Sequence, residues 1–447
     1  MNDRKLRQAL INLPDNAQES IVDNIFVPEF LSALGFKLME CVPAYGTGNG
    51  NEAVDYALRH NTDDDIFIQT KSNPYVLLEL KGKDINLSEG SAQYHSTFKQ
   101  LKGYLLASNC KTSQWGIMTN AVHLQLFRKH GKVIHPATPC LSITPDNLIK
   151  IVKDIKQKLD NLPRALTVAI YNNKGGVGKT TTTVNLAAAL TLKEKKTLIV
   201  DFDPNQQDLT KSLAIKPGKE TLYSWLEGKN KEVNDRDVIQ SFISKNKTTN
   251  QSFQIDVIPA DEHLANLGED ELRKTLKIFR LRQILDNLKS EYDYILIDSP
   301  PNWRFFSVSA IYASDVVLIP TKHNNIFSLE NAAIAIKQYI PQVQQARKDG
   351  SPIALPIFFN GESITDAGRN TAHKEINSII KEAQKDKFDL LPYFYPKYTR
   401  AKKDLHIFEL PSYAHIANAA FSRVPAAYKD KTARNYYLEL AKEYFLQ

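Results

Sequence analysis

One segment, Tyr171-Asn-Asn-Lys-Gly-Gly-Val-Gly-Lys-Thr-Thr-Thr-Thr-Val-Asn185, constrains the fold more than any other part of the 447-residue chain. An apolar run at 165–170 precedes it, and an alanine- and leucine-rich helical stretch at 185–192 follows. Strand, glycine-rich loop and helix in that order are the setting of a phosphate-binding loop. Gly175, Gly176 and Gly178 let backbone N–H groups converge on phosphate oxygens at a helix N-terminus. Lys179 is spaced to reach β- and γ-phosphates, and the Thr180 hydroxyl to ligate Mg²⁺, with Lys174, Val177 and Thr181 completing the cradle. Asn173 stands where the first glycine is usual, and Lys174 adds a second lysine. A flexible glycine linker is the plainer alternative, but it needs neither the strand before nor the helix after.

Beyond Pro163, apolar segments at 166–170, 197–200, 255–258, 294–297, 316–319 and 353–359 alternate with helical patterns. That alternation predicts an α/β domain with a doubly wound, mostly parallel sheet. Two of these strands end in carboxylates. Asp201 and Asp203 close one, and Asp298 closes another. An aspartate at the carboxyl edge of a parallel strand can hold Mg²⁺ through its water shell, the role expected of Asp298 with support from Asp201. Asp203 is expected to orient, or take a proton from, an attacking water. Helix capping is the alternative for each aspartate alone.

The double-lysine form KGGVGKT, with these acidic strand ends, resembles the ParA/MinD branch of P-loop ATPases. Pro320-Thr321, Ser328-Leu329 and the late Leu410-Pro-Ser-Tyr413 extend the likeness over 165–447, within the ParA branch. The resemblance implies ATP and Mg²⁺ as cofactors, an ATP-bound homodimer in which Lys174 reaches the partner's nucleotide, and adenine recognition by Asn360. It also implies nonspecific DNA binding near Lys397, Arg400, Lys402 and Lys403, residues able to neutralise backbone phosphates without reading bases. A separately encoded adaptor or stimulating protein would be a further partner. One departure is local: the family's usual Asp-Pro-Gln-Gly-Asn is Asp203-Pro-Asn-Gln-Gln207 here. MinD-type proteins end in a basic amphipathic tail. In this chain Tyr437, Leu440, Ala441, Tyr444 and Phe445 share one helical face, which is expected to pack on the ATPase core and not on a membrane.

The first 145 residues show a different set of signals. Glu79 and Lys81 lie two apart in the strand-like Tyr75-Val-Leu-Leu-Glu-Leu-Lys-Gly82, so both project from one face. Asp55 sits between apolar neighbours in Ala53-Val-Asp-Tyr-Ala-Leu58. From a neighbouring strand it could join Glu79 around Mg²⁺, with Lys81 assisting a metal-bound water. An exposed Glu-x-Lys on a strand is common, but an unpaired charge within so apolar a strand is costly. Glu19, the Leu-x-x-Leu-Gly-Phe ending at Phe36, Gln100 with Tyr104, and Ile117-Met-Thr-Asn120 complete a pattern. It resembles the PD-(D/E)XK nuclease domain of type I restriction enzyme motor subunits. The resemblance implies a restriction-endonuclease-like α/β domain at 1–145, with Glu19, Gln100 and Tyr104 as accessory residues. Residues 146–164 are expected to form a helix, either a linker or the last helix of the first domain, and 165–447 the ATPase domain. The segment Gly46-Thr-Gly-Asn-Gly50 reads as a flexible loop without a clear preceding strand.

A net charge of +7 leans mildly toward nucleic acid. Three scattered cysteines (Cys41, Cys110, Cys140) lack metal-type spacing and suit a reducing compartment. No apolar run approaches a membrane span and the first residues lack a signal-like core, so a cytoplasmic, nucleoid-associated protein is expected. Two functions compete, and a third, a regulatory switch that binds ATP and a protein partner without DNA, is disfavoured by the basic late segment. One is an ATP-timed nuclease in foreign-DNA defence or DNA processing. The other is a partition or positioning ATPase whose nuclease-like domain only binds DNA or an adaptor.

Overall fold

A computed structural model describes residues 3–228, 235–245, 250–361, 363–399 and 401–447. The chain divides into two compact units. The first runs to Leu162 and includes Lys348–Ser351 and Gln447; the second comprises Pro163–Arg347 and Pro352–Leu446.

In the first unit, strands β1 (Cys41–Gly46), β2 (Ala53–Leu58) and β3 (Val76–Leu80) form an antiparallel meander. The helix Ala92–Leu106 then carries the chain to β4 (Trp115–Thr119), which pairs parallel with β3. Strands β5 (His123–His130), β6 (Val133–Pro136) and β7 (Leu141–Ser142) complete the sheet antiparallel. β3 and β4 are buried at every residue, which their near-continuous apolar composition requires of central strands. The segment 46–50 is the β1–β2 turn. A strand does precede it, and Thr47 N–H bonds the Glu52 carbonyl across the turn at 3.0 Å. The expected linker helix is Leu148–Asp160. Its apolar stripe of Leu148, Ile151, Val152, Ile155 and Leu159 is buried in the first unit's core with Phe26, Phe30 and Trp115. The boundary therefore falls after Leu162, because a stripe of that length is stable only when covered.

The second unit holds a seven-stranded sheet. In order these are β10 (Gln240–Lys245), β11 (Ser252–Ile258), β9 (Thr197–Asp201), β12 (Tyr294–Asp298), β8 (Leu166–Ile170), β13 (Val316–Leu318) and β15 (Ile353–Ala354). All neighbours are parallel except the β10–β11 hairpin. The expected strand at 353–359 is divided. Pro356 lacks an N–H for the ladder, so β15 stops at Ala354. The chain then re-enters a separate parallel sheet of β14 (Pro320–Thr321), β16 (Phe358–Asn360) and β17 (Phe408–Leu410). Tyr437, Leu440, Ala441, Tyr444 and Phe445 of the last helix are all buried, and the Tyr444 hydroxyl donates to the Ile357 carbonyl at 3.1 Å. Among the described residues no helix is long and apolar enough to cross a membrane.

Candidate functional site

Register places the second unit's site. β12 lies between β8 and β9, with Asp298 opposite both Ile170 and Asp201, so three chain segments leave the sheet side by side at its carboxyl edge. The loop after β8 closes into the helix Lys179–Thr191. Gly176 (φ 75°) and Gly178 (φ 83°) adopt left-handed backbone, and a Cβ on Gly178 would lie 2.4 Å from Asn360 Nδ2. Glycine is required at 178 on both counts.

Lys179 is buried. Its Nζ donates to the carbonyls of Lys174 at 3.1 Å and Asn172 at 3.3 Å. Burial pulls its pKa below the usual range, opposed by the charges of Asp298 and Asp203. Asp298 is fully enclosed, and burial together with the Asp201 charge pushes its carboxyl well above the ordinary range. The Thr180 side chain bonds to Asp298, while Asp298 Oδ1 is buried without a hydrogen-bond partner. A hydroxyl and a carboxylate with one orphaned buried oxygen make a hard oxygen donor set that fits Mg²⁺. Mg²⁺ would be held there by Thr180 and Asp298.

Asp201 is tied into the protein through both carboxylate oxygens. Its Oδ2 accepts from Thr210 N at 2.8 Å and Thr210 Oγ1 at 2.7 Å, and its Oδ1 accepts from Asp203 N at 3.3 Å. Through these bonds Asp201 braces the segment carrying Asp203, and its charge acts on the neighbouring Asp298. Burial raises its pKa to about 6. Asp203 is buried, accepts from Gln206 N at 3.3 Å, and has its carboxyl raised by desolvation. Gln207, where the family usually has asparagine, is left-handed (φ 55°) at the start of the helix Asp208–Ser212.

Asn360 Nδ2 donates to the Val177 carbonyl at 2.8 Å and Thr182 Oγ1 at 3.1 Å. It thus pins the phosphate loop, and it also lines a cleft of about 270 Å³ with Gly176, Lys322, Pro411, Ser412 and Tyr413. Of the late basic residues, Lys397 approaches Glu443 at 3.6 Å and Lys402 pairs with Asp404 at 3.0 Å, while Lys403 is exposed. Arg400 lies outside the described residues.

In the first unit the separated signals converge. Leu80 N donates to Asp55 Oδ2 at 2.6 Å, fixing β2 against β3 beside Glu79. Glu79 is 1% exposed, and burial followed by the Asp55 charge raises its pKa to about 7. Lys81 Nζ donates to Glu79 Oε1 at 2.6 Å and to the Leu80 carbonyl at 2.8 Å, and lies 3.7 Å from Glu19 Oε2. Burial raises the Glu19 carboxyl, opposed by Lys81. Gln100 Nε2 donates to the Tyr104 hydroxyl at 2.7 Å. Burial raises that phenol, and Glu79 is among the charges acting on it.

Two further residues escaped the sequence reading. Lys83 N donates to the Ala17 carbonyl at 2.8 Å, and a Cβ on Gly82 would lie 2.8 Å from Glu19 N. Gly82 thereby lets Glu19 approach Lys81. Asp23 accepts from Tyr56 Oη at 2.7 Å and adds charge beside Asp55. Among the described residues no group of three or more His, Cys, Asp or Glu side chains is arranged to hold a metal ion. Asp55 and Glu79 are the carboxylates on which a cation here would rest, with Lys81 now bonded to Glu79.

The family model described as an AAA domain matches residues 165–351. Over 158 residues the chain is 42% identical to the sporulation initiation inhibitor protein Soj of Bacillus subtilis, covering 35% of this chain and 57% of that protein. It is 33% identical over 231 residues to the chromosome partitioning protein ParA of Myxococcus xanthus, covering 50% and 74%. A structure of pNOB8 ParA bound to nonspecific DNA aligns with 62% of this chain and 97% of its own, at 24% identity and a TM-score of 0.45. By its matched sequence and its P-loop, the chain belongs to the ParA family of P-loop ATPases.

Proposed function

We propose that this protein is an ATP-driven, DNA-associated switch coupled to a Mg²⁺-dependent nuclease domain. In the ATPase unit, Lys179 binds the β- and γ-phosphates, Lys174 completes the site of a second copy, and Asp203 orients the attacking water. Asn360 keeps the loop shaped around the phosphates and borders the base. Thr180 and Asp298 would hold Mg²⁺, which would supply charge neutralisation at the phosphates. Lys402 and Lys403 give the dimer a salt-sensitive, sequence-independent hold on DNA once the exposed Lys402–Asp404 pair, worth little, is exchanged for phosphate. The cycle would thereby set where the first unit acts, in defence against foreign DNA or in DNA processing.

The observation that carries the nuclease reading is Glu79, 1% exposed and beside Asp55 in an apolar sheet. Keeping two neighbouring carboxylates there costs several kcal/mol by desolvation (about 3 or more). Perturbed, closely set carboxylates of this kind collect at functional sites. Mg²⁺ would supply Lewis acidity at a phosphodiester. Lys81 would hold the attacking water, and Gln100 and Tyr104 would steady the rim.

A second reading is favoured by a different observation. Lys81 already satisfies Glu79 at 2.6 Å, as a closed structural pair would. The protein would then be a partition or positioning ATPase, in line with the names of its relatives, with the first unit binding DNA or a separately encoded adaptor. Incubation with plasmid DNA and Mg²⁺, with and without ATP, decides between them. Nicking that disappears in both Glu79→Gln and Lys81→Ala supports the nuclease. ATP-dependent DNA retention with no cleavage supports partition or positioning.

A further inference from the structure

The helix Ile326–Ile334 meets the three residues that open the phosphate loop, one after another. Asn172 Nδ2 donates to the Ser328 carbonyl at 3.0 Å and to the Pro320 carbonyl at 2.9 Å. Asn173 Nδ2 donates to Asn331 Oδ1 at 3.3 Å. Lys174 Nζ lies 5.9 Å from the centre of the Phe327 ring, on the side chain next along the same helical turn. The turn bearing that ring is itself fixed. Asn331 Nδ2 donates to the Phe327 carbonyl at 2.7 Å, and Ser328 N donates to the capping Asn325 at 3.1 Å.

Phe327 is 60% exposed. Leaving that much phenyl surface in water forgoes burial energy, and among the described residues the ring joins neither of two large buried clusters of the second unit. Among the described residues, the Lys174 ammonium is the cation its ring meets. A cation near an aromatic face within about 6 Å is attracted, weakly enough at an exposed site to release when a stronger anion arrives. Asn173 explains itself in the same terms. The side chain where glycine is usual is a strut to Asn331, and it holds the backbone from which Lys174 projects.

We propose that Phe327 is a positioning residue for Lys174: its ring holds the lysine ammonium at a set place on the rim of the nucleotide site until a second copy's phosphates draw it across, with Asn173–Asn331 fixing the backbone beneath. This rests on the reading of Lys174 as acting on the nucleotide of a second copy. Phe327 touches no reacting atom; it acts through the lysine alone.

The test uses the full-length protein with ATP, Mg²⁺ and plasmid DNA, following steady-state hydrolysis and the binding of a fluorescent ATP analogue. Phe327→Ala is expected to lower kcat about two- to fivefold with KM and analogue affinity unchanged, and Phe327→Trp to restore the rate. Added to Lys174→Ala, Phe327→Ala is expected to cost nothing more, since the lysine through which it acts is gone. The proposal is overturned if Phe327→Ala turns over at the wild-type rate, if Phe327→Trp is as slow as the alanine variant, or if the double variant is slower than Lys174→Ala. If Lys174→Ala itself hydrolyses normally, the reading of the lysine falls, an outcome distinct from failure of the aromatic contact.

Discussion

Replacing Thr210 by valine separates a brace from a metal ligand at Asp201. Thr210 Oγ1 donates to Asp201 Oδ2 at 2.7 Å and accepts from Ala260 N at 2.9 Å, and both residues are buried. Valine keeps the shape and removes both bonds. Loss of a hydrogen bond to a charged group together with a stranded buried amide should cost about 3 to 5 kcal/mol at pH 8. The cost has a pH signature. The Asp201 carboxyl is raised from 3.8 to about 6 in the folded protein. A raised acid binds its proton more tightly when folded, so its contribution to stability is greatest below the unfolded value and is lost as pH rises through about 6. The hydroxyl donor favours the ionised form, so Thr210→Val should push the carboxyl up further and concentrate its penalty above that point. At pH 5 only the stranded amide should remain, about 1 to 2 kcal/mol. Urea denaturation at both pH values, with hydrogen exchange at the Ala260 amide, reads these quantities. A penalty under about 1 kcal/mol at pH 8, or one equal at both pH values, would refute the brace. A fall in Mg²⁺ affinity without loss of stability would return Asp201 to the metal.

Four further outcomes are expected. Gly82→Ala sets a Cβ 2.8 Å from Glu19 N and should cost about 1 to 3 kcal/mol by overpacking. It should displace Glu19 while leaving ATP affinity unchanged, measured by thermal unfolding and nucleotide titration. Gln207→Asn relieves a left-handed glutamine (φ 55°) and should stabilise the protein by about 0.5 to 1 kcal/mol, seen as a raised urea midpoint with unchanged slope. Lys179→Ala should abolish nucleotide binding in a filter assay, whereas Asp203→Asn should bind ATP and stall, trapping dimers on a sizing column. Lys403→Ala should weaken DNA retention equally across sequences and flatten the slope of log affinity against log salt by about 1.

The ATPase strands were legible because parallel strands buried on both faces must be near-continuously apolar, as residues 166–170, 197–200 and 294–297 are. The division at Pro356 was signalled by the proline itself, but the second small sheet it enters was not. The helix Leu148–Asp160 showed its stripe plainly and not its partner, since periodicity says that a face is buried and never against what. Asp201 illustrates the same limit at the site. Its place at a strand end was readable, while its pairing with Thr210, nine residues on, depends on where the next helix begins.

By itself the sequence determined the kinds of chemistry available: a phosphate loop from glycines, lysines and a threonine in unbroken order, and carboxylates at apolar strand ends. Those are local properties, set by backbone freedom and side-chain period. Tertiary structure alone decided which groups share a site. It brought Glu19, Asp55, Glu79 and Lys81 together from three elements, turned Asp201 into a brace, and set Phe327 over Lys174 across more than 150 residues of chain. Packing chooses such neighbours through the register of strands and the burial of whole faces, so no short window of residues records them.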